Sequence, residues 1–184
     1  MLRRGIGVLV ASMMVASCSG GSSGPEFSRV DGEAIRVMVD DYAAAYNAKD
    51  VEAIQVMFSG NISLMPPNSS TVRGPESAGG YYSNLFATGE SEVELETADL
   101  AGEGALAFAQ GTFRTVTLTP APADGDDDEG ESEDDGGPDE DEGEAEVEMV
   151  ESRDRGKWLI SVRKLGGVWR IENLIWSSDL PVAP

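Results

Sequence analysis

The sequence predicts a single α+β domain, three helices and then a mostly antiparallel sheet, on three observations. Apolar residues recur with a helical period between Asp31 and Tyr46, and from Val93 onward the period changes to two. Near the C-terminus a Gly166–Gly167 pair separates two alternating apolar runs, the pattern of a tight hairpin.

In chain order, Ile35, Met38, Val39, Tyr42 and Tyr46 share one face of the first helix. Asp31 is the expected N-cap, with Glu33 favourable in the first turn. Asn47-Ala48-Lys49 breaks the run, and Asp50 caps a second helix with the stripe Val51, Ile54 and Phe58. A short strand, Ile62 to Met65, stops at Pro66-Pro67. Gly74-Pro75-Glu76 opens a third helix that runs to about Phe86, because proline is tolerated at the first helical position. It carries Tyr81, Leu85 and Phe86, and Gly79 and Gly80 weaken it. After Gly89, Val93, Leu95 and Thr97 alternate with Glu92, Glu94 and Glu96, a strand with one wet face. Ala105 to Leu118 is a longer strand in which Gly111 marks a bulge or bend. The last hairpin pairs Lys157–Leu165 with Val168–Ser177. Trp158, Ile160 and Val162 share a face on the first strand; Trp169, Ile171 and Ile175 share one on the second.

Composition narrows the chemistry. The net charge is −21, but Asp124 to Glu148 holds 16 of the 34 acidic residues and no Lys or Arg. What remains is only mildly acidic, and such a surface repels phosphate backbones, so no nucleic-acid partner is expected. The acidic segment, about residues 121–148, has almost nothing apolar to bury and reads as a disordered insert in a hairpin connection. There is no His, and Cys18 is the only cysteine. An intrachain disulfide, a Cys-rich zinc site and any Ser-His or Cys-His nucleophile are therefore excluded. Catalysis, if any, falls to carboxylates, Tyr, Lys, Arg or a metal held by oxygen. Asp124, Asp126 and Asp128 have the opening spacing of a calcium loop, but Glu129 stands where that loop needs Gly. No metal site and no cofactor are expected.

Arg3 and Arg4 precede Gly5–Ala16, an uncharged run of about twelve residues, too short to span a ~30 Å hydrocarbon core. It fits the core of a signal peptide. Val15-Ala16-Ser17-Cys18 resembles the lipobox of bacterial lipoproteins, in which the cysteine is acylated and becomes the new N-terminus. The expected organisation is a signal peptide over 1–17, a flexible tether over 18–30 and a domain over 31–180. The expected location is the bacterial cell envelope, anchored by lipid on Cys18 and facing the periplasm or the exterior.

The run Asp41-Tyr42 … Tyr46-Asn47-Ala-Lys49-Asp50-Val-Glu-Ala-Ile54 … Phe58 resembles the opening of ketosteroid-isomerase-like and SnoaL-like proteins, the nuclear-transport-factor-2-like superfamily. Val72-Arg73-Gly74-Pro75-Glu76 resembles the entry to that superfamily's third helix. Gly156-Lys157-Trp158 … Gly166-Gly167-Val-Trp169 … Ile175-Trp176 resembles its final hairpin. The resemblance implies a cone-shaped fold, three N-terminal helices packed on a curved, mostly antiparallel sheet around an apolar pocket. In the isomerases a carboxylate moves a proton, and a Tyr with a protonated Asp forms an oxyanion hole. Carried over residue by residue, the oxyanion tyrosine matches Tyr42. The proton-shuttling acid falls on Pro66, the second acid near Ile160, and Leu174 stands where an Asp is common shortly before the last Trp.

The candidate pocket residues are Tyr42, Tyr46, Phe58, Met65, Trp158, Ile160 and Trp176; no catalytic residue is assigned. Each also has a plain core-packing reading, since aromatic residues on paired strands more often serve packing. Arg73 and Arg114 are candidate anchors for a ligand carboxylate. The leading expectation is a lipoprotein that binds a small apolar molecule. The first rival is an isomerase-, cyclase- or hydratase-type enzyme using other carboxylates, such as Asp99 or Asp179. The second is a module that dimerises through its sheet.

Overall fold

The computed structural model describes residues 26–121 and 148–180. Within them the order is α1 (Arg29–Asn47), α2 (Val51–Met57), β1 (Phe58–Met65), β2 (Val72–Arg73), α3 (Pro75–Ala87), β3 (Glu90–Glu103), β4 (Leu106–Pro120), β5 (Met149–Leu165) and β6 (Val168–Ser178). The strands form one sheet in the order β2-β1-β6-β5-β4-β3. It is mixed, because β1 runs parallel to β6 while every other neighbouring pair is antiparallel. The signal peptide, Cys18 and the acidic residues between Ala121 and Glu148 lie outside the described residues, as does the tether up to residue 25.

Helix α1 begins earlier than its hydrophobic stripe suggests. Its N-cap is Ser28, not Asp31. Ser28 Oγ accepts from the Asp31 amide at 3.2 Å, and Asp31 Oδ2 accepts from the Ser28 amide at 3.0 Å and the Ser28 hydroxyl at 2.7 Å, a capping box. The cause is tertiary. Phe27 packs edge-on against Trp169 at 5.8 Å, and Asp31 Oδ1 accepts from Lys164 Nζ at 2.6 Å and Trp169 Nε1 at 3.1 Å. Phe27–Val30, assigned above to the tether, thus belong to the folded domain. The Lys164 ammonium, with help from Ser28 and Trp169, holds the Asp31 carboxyl well below the ordinary carboxylate range.

Asp50 caps α2 as its position suggests, accepting from the Ala53 amide at 2.9 Å. Phe58 is not part of the α2 stripe but the first residue of β1, which starts four residues earlier than the apolar run Ile62–Met65 indicates. Gly166 and Gly167, at φ +57° and +87°, make the two-residue β5–β6 turn that only glycine-like backbone fits easily.

Two bulges decide which side chains face inward. In β3, Thr97 pairs with Gly111 and Asp99 with Gln110, so Ala98 is the extra residue. The bulge thus lies in β3, opposite Gly111 rather than at it. A Cβ on Gly111 would lie 1.7 Å from the Glu96 carbonyl oxygen and 3.0 Å from Trp158 Cζ2. In β6, Ser161 pairs with Asn173 and Val162 with Ile171, leaving Glu172 unpaired and reversing the alternation. Trp169 and Ile171 therefore face the core together with Leu174, while Ile175 is 41% exposed on the outer face. The expected face shared by Trp169, Ile171 and Ile175 ends at Ile171.

Candidate functional site

On the inner face of the sheet a cavity of about 200 Å³ opens between the helices and β3–β6. An apolar cavity of ~150 Å³ accepts benzene, so this one has room for a molecule of about ten heavy atoms. Helix α1 contributes Val39, Tyr42 and Tyr46 at helical spacing, and α3 contributes Tyr81, Tyr82 and Leu85. The wall is completed by inward positions of the strands, among them Phe113, Trp158, Ile160 and Trp176.

The tyrosines form a packed set. Tyr42 and Tyr82 meet edge to face at 6.3 Å, and their hydroxyls lie 2.6 Å apart in a hydrogen bond. Tyr46 and Tyr82 stand perpendicular at 6.4 Å, and Tyr81 meets Trp176 at 6.2 Å. The Tyr46 hydroxyl bonds Ser91 Oγ at 3.1 Å, and Ser91 Oγ bonds Thr117 Oγ1 at 3.2 Å. Burial pushes the Tyr42 and Tyr82 phenols far above the ordinary range, and raises Tyr46 as well. At neutral pH these groups are hydrogen-bond donors and acceptors, not bases.

One charged residue lines the cavity, Asp154. It follows the inward alternation of β5 through Gly156, Trp158 and Ile160, opposite Thr115. Its Oδ1 accepts from Ser178 Oγ at 2.6 Å and from the Arg155 amide at 2.6 Å. With Thr115, Thr117 and Ser91 it gives the cavity a polar end. Ile160, Ile171 and Leu174 make the other end apolar. Among the described residues no group of three or more His, Cys, Asp and Glu is placed to hold a metal ion. Among them, too, no helix is long and apolar enough to cross a membrane.

Of the candidate pocket residues, Tyr42, Tyr46, Trp158, Ile160 and Trp176 line the cavity, while Phe58 and Met65 do not. Phe58 is buried behind Tyr82, ring centroids 6.2 Å apart. Met65 pairs with outward-facing Ile175 and so shares the outer side of the sheet. Neither Arg73 nor Arg114 lines this cavity. Arg73 on β2 donates to Ser63 Oγ at 3.2 Å, and Arg114 is exposed on the outer face of β4. Asp99 and Asp179 are exposed as well, the latter paired with Lys157. Of the positions matched above to acids of the resembling family, Pro66 lies outside the lining, while Ile160 and Leu174 place apolar side chains on the wall. Sequence reasoning missed Tyr82 and Asp154. The signal for Asp154 was present: the alternation through Trp158 continues backward through Gly156 to Asp154, between exposed Arg153 and Arg155.

The profile of the SnoaL-like domain family matches residues 39–132, just over half of the chain. The protein belongs to the SnoaL-like domain family. Solved structures agree on the fold. A ketosteroid isomerase-like protein from Erwinia carotovora atroseptica is 18% identical, with a TM-score of 0.59 over 81% of this chain and 96% of that one. A Nostoc punctiforme protein of unknown function with a cystatin-like fold is 13% identical, with a TM-score of 0.60 over 84% and 96%. A Novosphingobium aromaticivorans protein provisionally assigned as a scytalone dehydratase is 10% identical, with a TM-score of 0.63 over 82% and 85%. No curated protein matches the sequence. Identities this low speak to the fold alone. In this SnoaL-like domain, then, the chemistry is read from the cavity itself.

Proposed function

We propose that this protein is an envelope lipoprotein, anchored by acylated Cys18, whose cone-shaped SnoaL-like domain holds a small, largely apolar molecule. The observation that carries the reading is the cavity, walled by tyrosine and tryptophan rings and apolar at Ile160, the position the resemblance matches to an isomerase acid. Tyr42 and Tyr82 offer a neutral hydrogen-bonding pair to the bound molecule. The lipobox, the charge-free signal core and the Gly/Ser tether support the anchor. A homodimer through the outer sheet face, where Phe108, Leu159 and Ile175 are exposed, is a further proposed partner.

The rival, an isomerase-, cyclase- or hydratase-type enzyme, rests on one observation: Asp154 is a carboxylate on the cavity wall. It sits six residues along β5 from Ile160, about 20 Å at strand spacing. It therefore does not stand in for the acid that the isomerases carry near that position.

Native mass spectrometry of the full chain, extracted gently from its own host's envelope, tests both halves of the proposal. A diacylglycerol-type mass on Cys18 and a stoichiometric, non-covalent mass of small-molecule size are expected. A protein without lipid defeats the anchor, and one that remains bare after extraction by several mild routes defeats the binder.

A further inference from the structure

The polarity of the cavity identifies the class of ligand, an inference that rests on the binding proposal above. Among the described residues Asp154 is the only charged side chain on the wall, and no Lys or Arg of them lines it. Asp154 Oδ1 is occupied by Ser178 and the Arg155 amide, whereas Oδ2 has no hydrogen-bond partner among the described residues. Next to Asp154 on the inner face is Gly156, on which Phe113 packs. Beyond it Trp158 and Trp176 form the next inward pair.

We infer that the cavity takes a small aromatic or alicyclic amine, its ammonium bound at Asp154 Oδ2 and its apolar body against Phe113, Trp158, Trp176 and the tyrosines. A carboxylate ligand would bring a second negative charge beside Asp154, and the arginines nearby, Arg114, Arg153 and Arg155, are exposed and line an adjoining groove rather than this cavity. A neutral ligand would leave Oδ2 to water, without a charge-assisted partner inside the cavity. An ammonium satisfies the carboxylate with a charge-assisted hydrogen bond, and the faces of the surrounding rings attract it as well. The hydroxyls of Ser91, Thr115 and Thr117 at the same end accept from any remaining N–H.

The test is a tryptophan-fluorescence titration of the full chain with three probes of nearly equal size: 2-phenylethylamine, 2-phenylethanol and phenylacetate. The amine is expected to bind at least tenfold tighter than the alcohol, with phenylacetate weakest, since a charge-assisted hydrogen bond is stronger than a neutral one. Asp154→Asn should lower amine affinity by about the same tenfold and erase the order, and Asp154→Glu should restore it; a thermal melt verifies that both variants fold. If the alcohol or phenylacetate binds as tightly as the amine, the cation is wrong and the binding proposal stands. If none of the three binds, the pocket reading fails, and this inference fails with it.

Discussion

Replacing Tyr42 by Phe removes one of two hydroxyls that meet at 2.6 Å in the cavity wall and leaves both rings in place. Tyr82 is 1% exposed, and its hydroxyl has no other hydrogen-bond partner among the described residues. Orphaning a buried hydroxyl costs about 1–3 kcal/mol, the low end applying where a cavity water replaces the lost partner. For a domain of this size that is a fall of roughly 2–12 °C in Tm, at about 2–4 °C per kcal/mol. Tyr82→Phe should cost a similar amount for the same reason, with Tyr42 as the orphan. The double variant removes donor and acceptor together, which is nearly neutral when both partners become apolar. The two single costs together should therefore exceed the double cost by about 2–6 kcal/mol, a coupling that a double-mutant cycle measures directly. Urea unfolding of the four proteins, with equal slopes as the check on two-state behaviour, gives the numbers. Strict additivity of the two substitutions would refute the pairing and with it the neutral hydrogen-bonding pair assigned to the cavity.

Two further predictions concern the frame of the site. Gly111→Ala places a methyl group 1.7 Å from the Glu96 carbonyl oxygen and 3.0 Å from Trp158 Cζ2, so the β3 bulge or the indole has to move. A loss of at least ~2 kcal/mol with an altered Trp emission spectrum is expected, and a variant as stable as the parent would show that the bulge is not tightly packed there. Asp31 makes stability depend on acid. Its folded carboxyl lies below the ordinary value, so its contribution is present above the unfolded pKa of about 3.9 and is lost as pH falls through the folded value. Asp31→Asn should therefore melt lower than the parent at neutral pH, with the gap closing on acidification below about pH 4. Melting curves across that range decide it; a gap that persists unchanged to the acid limit would rule out the Lys164–Asp31 linkage.

Local chemistry made most elements legible. The 3.6-residue period of Ile35 to Tyr46, the Asp50 cap, the Gly74-Pro75 helix start and the Gly166–Gly167 turn each act within a few residues, so a sequence displays them directly. Tyr42 and Tyr46 could be placed on one face for the same reason. The α1 start was not legible, because Ser28 caps it only in concert with Phe27–Trp169 and Lys164–Asp31 contacts made more than 130 residues along the chain. The first half of β5 was missed because its inward residues, Asp154 and Gly156, are not apolar, so the alternation there shows only when it is counted back from Trp158. The swap of Ile175 for Leu174 follows from Glu172, since a single unpaired residue turns every later side chain of β6 over.

The sequence by itself determined the α+β class, the helix faces and the final hairpin, because periodicity and turn chemistry are properties of neighbouring residues. It also determined that the cavity holds no imidazole, since the chain has no His. Only the tertiary structure decided which side chains meet. The register of β3 through β6 and its bulges bring Asp154 and Trp176 to one cavity with Tyr82 of α3, and turn Ile175, with its β1 partner Met65, away from it. Register is set by pairing between distant strands, and a one-residue slip there reverses inside and outside without changing a single local preference.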